Sequence, residues 1–182
     1  MAYNLKDVFY LDMSMTTGTG TGDGSTQLDL SSYIDPIARR GSKAQGLAVY
    51  KVHTSVTEGD SNVPGMDLDG SMRGALIAGG STGEVAVGST ISFAAGQLSA
   101  SNDLNIYGFD YYQDTGVQYN NFREFLMPSK DVPYIIVRDN VVMALTVDDS
   151  FATALTVAVR LECAVVSLDQ STLNQLLRTQ TV

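Results

Sequence analysis

The sequence is poor in the residues that most catalytic sites use. It contains one cysteine, Cys163, and one histidine, His53. A single cysteine excludes an internal disulfide bond and is typical of a small core residue. Nucleophilic catalysis normally needs a base beside the nucleophile, and His53 is the only ordinary candidate for that base. Because His53 lies in the middle of a predicted strand, we expect it to be a structural histidine. One histidine and one cysteine leave no plausible catalytic triad or metal cluster, so we expect no enzymatic activity and no cofactor.

Positive charge is also scarce. The chain has 11 lysines and arginines against 20 aspartates and glutamates, which gives a formal net charge of −9 at pH 7. The basic residues are scattered along the sequence rather than clustered. A phosphate backbone attracts basic surfaces and repels acidic ones. Direct binding of nucleic acid is therefore not expected.

The sequence lacks a long uninterrupted hydrophobic run. The most apolar segment near the C-terminus, "ALTVAVRLECAVVSL", is interrupted by Arg160 and Glu162 and is too short to span a membrane. The opening residues "MAYNLKDVFYLD" have neither the basic start nor the apolar stretch of a signal peptide. We expect a soluble protein that does not span a membrane. It would be made in a reducing compartment, or exported without a recognisable signal.

What the sequence does contain is strict alternation of apolar residues. Neighbouring side chains of a strand point to opposite faces, so the segment "ALTVAVRLECAVV" predicts a long strand with one buried side. The residues predicted to face the core are Leu155, Val157, Val159, Leu161, Cys163 and Val165. The preceding segment "VVMALTVDD" repeats the pattern, and "DDSFAT" lies between the two. We expect these two strands to pair as an antiparallel hairpin.

About nine such strands can be counted along the chain. The others are "DVFYLDMSM", "TQLDLSSY", "GLAVYKVHTSV", "GALIA", "EVAVGSTISFA", "LNIYGFDYY" and "VPYIIVRDN". Clusters of Gly, Ser, Asn and Asp separate them, which favours an all-β sandwich or barrel. The segment "SSYIDPIARRG" predicts a short connecting helix, and "SLDQSTLNQLLRTQ" a C-terminal helix. We predict one domain over residues 1–182, with a C-terminal tail from about residue 167 to residue 182.

The glycine-rich stretch "TTGTGTGDGST", residues 16–26, raises the question of phosphate binding. Its glycines alternate strictly, and the segment that follows them is strand-like rather than helical. A dinucleotide fingerprint opens a helix, and a P-loop ends in Gly-Lys-Ser or Gly-Lys-Thr. Neither pattern is present. We predict a hairpin tip or an exposed loop without a bound phosphate.

Acidic residues in "DSNVPGMDLDG" suggest one metal site. An EF-hand alignment fails, because Gly65 would occupy the first ligand position and Leu76 the position of the bidentate glutamate. A looser surface calcium site formed by Asp60, Asp67 and Asp69 is a hypothesis. The alternative is a polar loop made of turn residues.

Two groups of residues are candidates for contacts between subunits. The first lies in "YGFDYYQDTGVQYNNF", where Tyr112 and Tyr119 are the interface candidates, since tyrosine offers contact area and a hydroxyl. Tyr107, Phe109 and Tyr111 alternate in the same stretch and are better explained as one buried face of a strand.

The second group comprises three leucines of the tail at helical spacing. These are Leu173, Leu176 and Leu177. They must pack either on their own domain or on a neighbouring subunit, because each buried leucine is worth roughly 1.5–3 kcal/mol. We expect the tail and the long loop at residues 58–71 to contribute to subunit contacts.

The pattern resembles that of viral jelly-roll coat proteins. The stretches that carry the resemblance are "QLDLSSYIDPIARRGSKAQGLAVYKV" and "PYIIVRDNVVMALTVDDSFATALTVAVRLECAVV". The resemblance implies an all-β fold, a single antiparallel β-sandwich of jelly-roll type. In that family the sandwich is tiled by lateral contacts into a closed icosahedral shell. Many members that package single-stranded genomes carry a basic N-terminal arm, whereas "MAYNLKDVFYLD" holds one lysine. The chain is more similar to small single-barrel coat proteins of tailless double-stranded DNA viruses.

The resemblance therefore implies a capsid subunit that assembles in the host cytoplasm and resides in the virion. Its partners would be copies of itself and other capsid proteins, and a membrane or other layer can lie inside such shells. The alternative is a non-enzymatic β-sandwich binding module, such as a carbohydrate-recognition, fibre or adhesin domain. A coat protein forms large assemblies, whereas a binding module stays small and binds a glycan.

Overall fold

The structure contains ten β-strands and one α-helix over the residues it describes. It is a computed structural model that describes residues 7–35, 43–58, 63–64, 69–79, 105–114 and 119–180. The strands are β1 (Phe9–Thr16), β2 (Gly22–Asp29), β3 (Ala44–Glu58), β4 (Val63–Pro64), β5 (Gly70–Ala78), β6 (Asn105–Asp114), β7 (Tyr119–Phe125), β8 (Tyr134–Ile136), β9 (Asn140–Asp149) and β10 (Leu155–Leu168). The helix α1 (Gln170–Thr179) follows β10. The predicted strand at residues 84–94 lies outside the described ranges.

The strands form two antiparallel sheets. Sheet A has the order β1-β10-β3-β4, and β8 also pairs with β3. Sheet B has the order β2-β9-β5-β6-β7. The apolar faces of the two sheets meet in one cluster of buried residues. The predicted all-β sandwich is confirmed.

The pairing is that of a jelly roll. Early strands pair with late ones: β1 with β10, β2 with β9, and β3 with β8, while β5 and β6 form the central pair. This nesting is what results when one long antiparallel hairpin is rolled into two sheets. The contacts of β10 with β3 and of β9 with β5 then complete the sheets. The short strand β4 and the edge strand β7 are additions to this eight-strand pattern.

The hairpin predicted between β9 and β10 is wrong. The two strands belong to different sheets, so the connection at residues 150–154 crosses from sheet B to sheet A. Phe151 in this connection is buried and packs 6.0 Å from the ring of Tyr111. Its ring lies against the backbone of Gly70, where an added Cβ would come within 2.5 Å of it and φ is +153°. The sequence "DDSFAT" therefore contains a core residue at a corner of the sandwich.

The inner face of β10 follows the predicted alternation with one exception. Leu155, Val157, Val159, Leu161 and Cys163 are buried in the core between the sheets. Val165 was predicted to face the same core but is 41% exposed. Near this end of β10 the buried side chains lie on the opposite face of the strand.

A β-bulge in β3 lies where the buried face changes. Glu162 of β10 pairs with Lys51 and Cys163 pairs with Val49, so Tyr50 is an extra residue. An extra residue reverses the parity of the strand. Odd-numbered residues of β3 face the core before it, and Val52 and other even-numbered residues face the core after it.

Tyr50 belongs to a second buried cluster, on the outer side of sheet A and beneath α1. Its other members are Ala44, Ala48, Val137, Ala164, Val166, Leu168 and Leu173, with Ile135, Leu176 and Leu177 packed against them. The predicted C-terminal helix is thus confirmed, and it is docked on the chain's own sheet.

Both ends of α1 are fixed by specific hydrogen bonds. At the start, the Asp169 carboxylate accepts a 2.7 Å hydrogen bond from the backbone N–H of Thr172, the usual arrangement of an N-cap. Just after the end, the buried Gln180 amide accepts from the N–H of Val137 at 3.1 Å and donates to the carbonyl of Ile135 at 2.6 Å. Gln180 thereby pairs with one carbonyl of the edge strand β8 and with the N–H of the residue that follows this strand. The described residues include no helix long and apolar enough to cross a membrane.

The glycine-rich stretch joins the two sheets. The residues between β1 and β2 are mostly exposed, as predicted, but β1 and β2 belong to different sheets, so the hairpin alternative is wrong. The strand β2 begins inside the stretch, at Gly22. Thr17 is the buried anchor of the connection. Its N–H donates to the carbonyl of Leu155 at 2.8 Å, and its hydroxyl accepts from the Leu155 N–H at 3.0 Å.

Candidate functional site

The outer face of sheet A has a half covered by α1 and an open half. In the open half the register of β1, β10 and β3 places polar and small side chains in rows across three strands. The rows are Thr16–Thr156–Thr57, Ser14–Ala158–Ser55, Asp12–Arg160–His53 and Tyr10–Glu162–Lys51. We call this surface the open face. Because each row combines residues far apart in sequence, only the sheet register brings them together.

A groove runs across the open face. Its volume is about 680 Å³, within the range of small-molecule sites. Its walls are Tyr10, Asp12 and Ser14 on β1, and His53 and Ser55 on β3; Ala158 and Arg160 of β10 lie between them. Neighbouring strands are roughly 4.8 Å apart, so β1 and β3 are separated by about 9.6 Å. The short side chain of Ala158 leaves the space between these walls open.

The charges at this groove are paired with each other. Arg160 donates two hydrogen bonds to Asp12, from Nε at 2.7 Å and from Nη2 at 2.9 Å. These bonds lower the pKa of Asp12 and raise the pKa of Arg160. The Arg160 guanidinium also lies 5.7 Å from the centre of the Tyr10 ring, and Tyr10 is 57% exposed. The groove therefore presents an aromatic ring beside a neutralised ion pair.

His53 is on this face, and its neighbour is a carboxylate. Nε2 of His53 lies 3.8 Å from Glu162, whose other oxygen is 3.8 Å from Nζ of Lys130. Cys163 faces the opposite side of the sheet, in the core, where burial raises the pKa of its thiol to about 12. The fold thus separates the histidine from the thiol. The described residues contain no group of three or more His, Cys, Asp or Glu that could hold a metal ion.

A second surface is formed by exposed apolar side chains. Seven large hydrophobic side chains are exposed in the described residues, and five of them lie between positions 112 and 132. These five are Tyr112, Phe122, Leu126, Met127 and Val132. They belong to β6, to β7 and to the segment that leads from β7 towards β8. We call this set the β7 edge, because β7 is the last strand of sheet B.

The β7 edge is tied to the core by aromatic and polar contacts. Phe122 is 38% exposed, yet its ring stacks on Phe109 with 5.5 Å between centroids. Tyr107 donates a 2.7 Å hydrogen bond to Glu124 of β7 and accepts one of 2.8 Å from Thr54 of sheet A. Burial raises the pKa of Tyr107, so its hydroxyl remains a donor. These contacts fix the orientation of an edge strand that presents apolar side chains to solvent.

The predicted interface residues fall in different environments. Tyr112 is exposed on the outer face of sheet B, with its hydroxyl 3.3 Å from Asp114. Tyr119 begins β7, and its side chain lies outside the described part of the structure. Tyr107, Phe109 and Tyr111 are buried in the core, as the alternation predicted.

The tail leucines pack on their own domain. Leu173 is 1% exposed in the cluster beneath α1, and Leu176 and Leu177 are partly buried against the same cluster. This packing accounts for Leu173 without a neighbouring subunit. The tail therefore docks on its own domain, one of the two alternatives given by the sequence. An interface role of Leu176 and Leu177 stays a prediction.

The calcium hypothesis stays a prediction as well. Asp69 is exposed just before β5, whereas Asp60 and Asp67 lie outside the described residues. The loop at residues 58–71 is described only in part, through the end of β3, the two residues of β4 and the start of β5.

Sequence reasoning did not find the groove. A signal for it exists in the outward-facing positions of β10, where Ala158 is a small residue between Thr156 and Arg160. That signal has meaning only when the neighbours of Ala158 are known to be Ser14 and Ser55. No protein-family model matches this chain, and no curated protein is similar to it.

Proposed function

We propose that this protein is a structural subunit that associates with copies of itself to form an icosahedral viral shell. Two features support the proposal: the jelly-roll pairing of the strands, and the apolar character of the β7 edge. The fold alone does not define a function, because jelly rolls serve many purposes. The observation that carries the proposal is the concentration of five exposed large hydrophobic side chains between residues 112 and 132. Phe122 lies on β7, and Leu126 and Met127 follow directly after it; exposed large apolar side chains along an edge strand are typical of an interaction site.

The edge strand β7 is suited to pairing with the same strand of a second copy. No strand in the described residues pairs with its outer side, and exposed strand edges are templates for pairing with another chain. In an antiparallel pair, residues directly opposite each other point to the same face of the sheet. When two copies of one strand pair about a two-fold axis, opposite residues must therefore both be even-numbered or both be odd-numbered. An axis at Phe122 meets this condition.

This register also avoids repulsion. It places Phe122 opposite Phe122 of the second copy, and Arg123 opposite Asn121. Tyr111 already pairs with Phe122 across β6 and β7, so the aromatic row would continue across the new contact. An axis one residue later would place Arg123 opposite itself, and like charges directly opposite are destabilising.

Other features of the chain agree with a shell that does not wrap its genome directly. The net charge of −9 disfavours contact with a phosphate backbone. Gln180 occupies backbone groups at the edge of sheet A beside β8, so this edge is partly covered. In this proposal the two-fold contact at the β7 edge joins subunits in pairs, contacts at other surfaces link the pairs into the shell, and assembly occurs in the host cytoplasm.

The test is the size of the full-length recombinant protein, measured by light scattering and negative-stain microscopy. Wild-type protein is expected to form large assemblies or closed particles. Phe122→Asp places a charge in the proposed contact and is expected to yield small species. Val165→Asp is the matched control, because Val165 is also about 40% exposed but lies outside the β7 edge.

Circular dichroism would check that both variants fold, and Met127→Asp gives a second probe of the β7 edge. A wild-type protein that remains monomeric at high concentration, and is absent from particles in its native source, would overturn the proposal. Assembly that is lost equally in Val165→Asp would contradict the role of the β7 edge.

A second candidate function is a non-enzymatic carbohydrate-recognition or fibre domain. The observation that favours it is the groove of the open face, with Tyr10 and Asp12 on one side, His53 on the other and Arg160 between them. The two candidates are separated by particle size, since a recognition domain stays small.

A further inference from the structure

We propose that the groove of the open face binds one residue of a neutral saccharide. Four observations define the ligand: the size of the groove, the balance of its charges, its hydroxyl groups and its exposed aromatic ring. The proposal does not depend on whether copies of the chain assemble, since it concerns a different surface from the β7 edge.

The size and shape of the groove suit a single sugar ring with its neighbours outside. The groove volume of about 680 Å³ is much larger than the volume needed to hold one water molecule, and it lies within the range of ligand sites. The floor is the Cβ of Ala158 and the backbone on either side of it, flanked by the hydroxyls of Ser14 and Ser55 at the same level of the sheet. Flat floors of this kind admit a ring lying parallel to the sheet.

The charge balance selects a neutral ligand. Arg160 donates two hydrogen bonds to Asp12, so the positive and negative charges of the groove are paired with each other. An anionic ligand would meet the Asp12 carboxylate, and a cationic ligand would meet the guanidinium. A neutral polyol can donate a hydroxyl to Asp12 and accept from Arg160 without breaking the pair, because hydrogen bonds to charged partners are the strong ones.

Tyr10 supplies the apolar half of a sugar site. One side of a pyranose ring carries C–H groups, which pack against an aromatic face, while its hydroxyls need polar partners. Tyr10 offers both a ring and a hydroxyl, and 57% of it is accessible to solvent. Its position on β1, in the row next to Asp12, places the ring beside the polar groups rather than apart from them.

The experiment is saturation-transfer NMR on the full-length protein, which works for both monomers and large assemblies. The probes are neutral monosaccharides and oligosaccharides of glucose, galactose, mannose and N-acetylglucosamine. Sialylated and sulfated saccharides form a separate arm. Transfer to at least one neutral saccharide is expected. Transfer confined to the anionic arm, or to no saccharide at all, would overturn the proposal.

Variants locate the binding. Ala158→Leu fills the exposed floor of the groove and is expected to abolish transfer, and Tyr10→Ala is expected to weaken binding up to about tenfold. Ser167→Leu is the matched control, an exposed residue of β10 outside the groove. Binding that survives Ala158→Leu in folded protein would overturn the assignment to this groove, and if that variant does not fold, Tyr10→Ala decides. Particle size in the same samples reports on self-assembly separately.

Discussion

The two halves of the outer face of sheet A share the strands β3 and β10 but have opposite characters. Near α1, Ala164, Val166 and Leu168 of β10 point outward and are buried. Earlier in the same strand, Ala158 and Arg160 point outward and remain exposed. The difference lies in what covers each half. The buried face of a strand is therefore decided locally, by the element that packs on it, and can change within one strand.

The largest expected effect comes from the covered half. Tyr50→Ala removes a ring that is 2% exposed in the cluster beneath α1. Loss of a buried aromatic side chain costs about 3–5 kcal/mol through lost transfer energy and a cavity. The measurement is the free energy of unfolding in urea. Ser55→Ala, on the open half of the same strand, is the control and should change this free energy by less than about 0.5 kcal/mol. Equal effects would mean that the two halves do not differ in packing.

Leu173→Ala tests the same cluster from the side of the helix. Leu173 is the most buried residue of α1, and we expect a loss of about 2–3 kcal/mol, the lower part of the range for leucine in a core. Assembly should persist in this variant wherever the protein remains folded. A variant that is as stable as wild type but no longer assembles would instead favour an intersubunit role for the tail.

Removal of the Gln180 amide should have a smaller effect. Gln180→Ala leaves the N–H of Val137 and the carbonyl of Ile135 without these partners, at a cost of about 1–3 kcal/mol. Hydrogen exchange at the Val137 amide should become faster. The control is Gln170→Ala, at the exposed start of the same helix. Unchanged exchange at Val137 would show that Gln180 does not protect this amide in solution.

The N-cap of α1 makes the covered half sensitive to acid. The N–H of Thr172 is the main cause of the lowered pKa of Asp169 in the folded protein. Because the folded pKa lies below the ordinary value of 3.8, the ionised carboxylate stabilises the fold above that value. This contribution is lost as the pH falls through the lowered pKa. Asp169→Asn keeps a capping oxygen but does not titrate, so its stability should vary less with pH below 4. Parallel pH profiles would contradict the cap.

The smallest effect is expected on the open half. The hydrogen bonds from Arg160 are the main cause of the lowered pKa of Asp12. Replacement of the guanidinium in Arg160→Gln should raise this pKa back towards the ordinary value of an aspartate. The change can be followed by carboxyl NMR, with Asp169 as an internal control that should not move. A constant Asp12 pKa would show that Arg160 is not its partner in solution.

The sequence predicted the fold well where the residue pattern within one segment is sufficient to define that segment's structure. Alternation placed Leu155 to Cys163 in the core, and helical spacing placed α1. Prediction failed where the outcome depends on which strands pair with each other. The segment "DDSFAT" has the composition of a hairpin turn, yet the buried Phe151 lies in it, at a crossing between sheets. Sequence neighbours pair about two-thirds of the time, and a jelly roll pairs its early strands with late ones instead.

The candidate sites divide in the same way. Tyr112 could be selected from sequence, because it follows Tyr111 and is out of phase with the buried alternation of Tyr107, Phe109 and Tyr111. The groove could not, because Ser14, Ala158 and Ser55 are brought together only by strand pairing.

Composition and side-chain period are enough to define an acidic, all-β chain with one histidine, one cysteine and a C-terminal helix that carries leucines. Each segment holds this information in its own residues. Strand pairing, the covering of outward faces and the location of exposed apolar residues were set by the three-dimensional fold. Those outcomes depend on register between distant segments, and on a single extra residue at Tyr50 that reverses the face of every residue after it in β3.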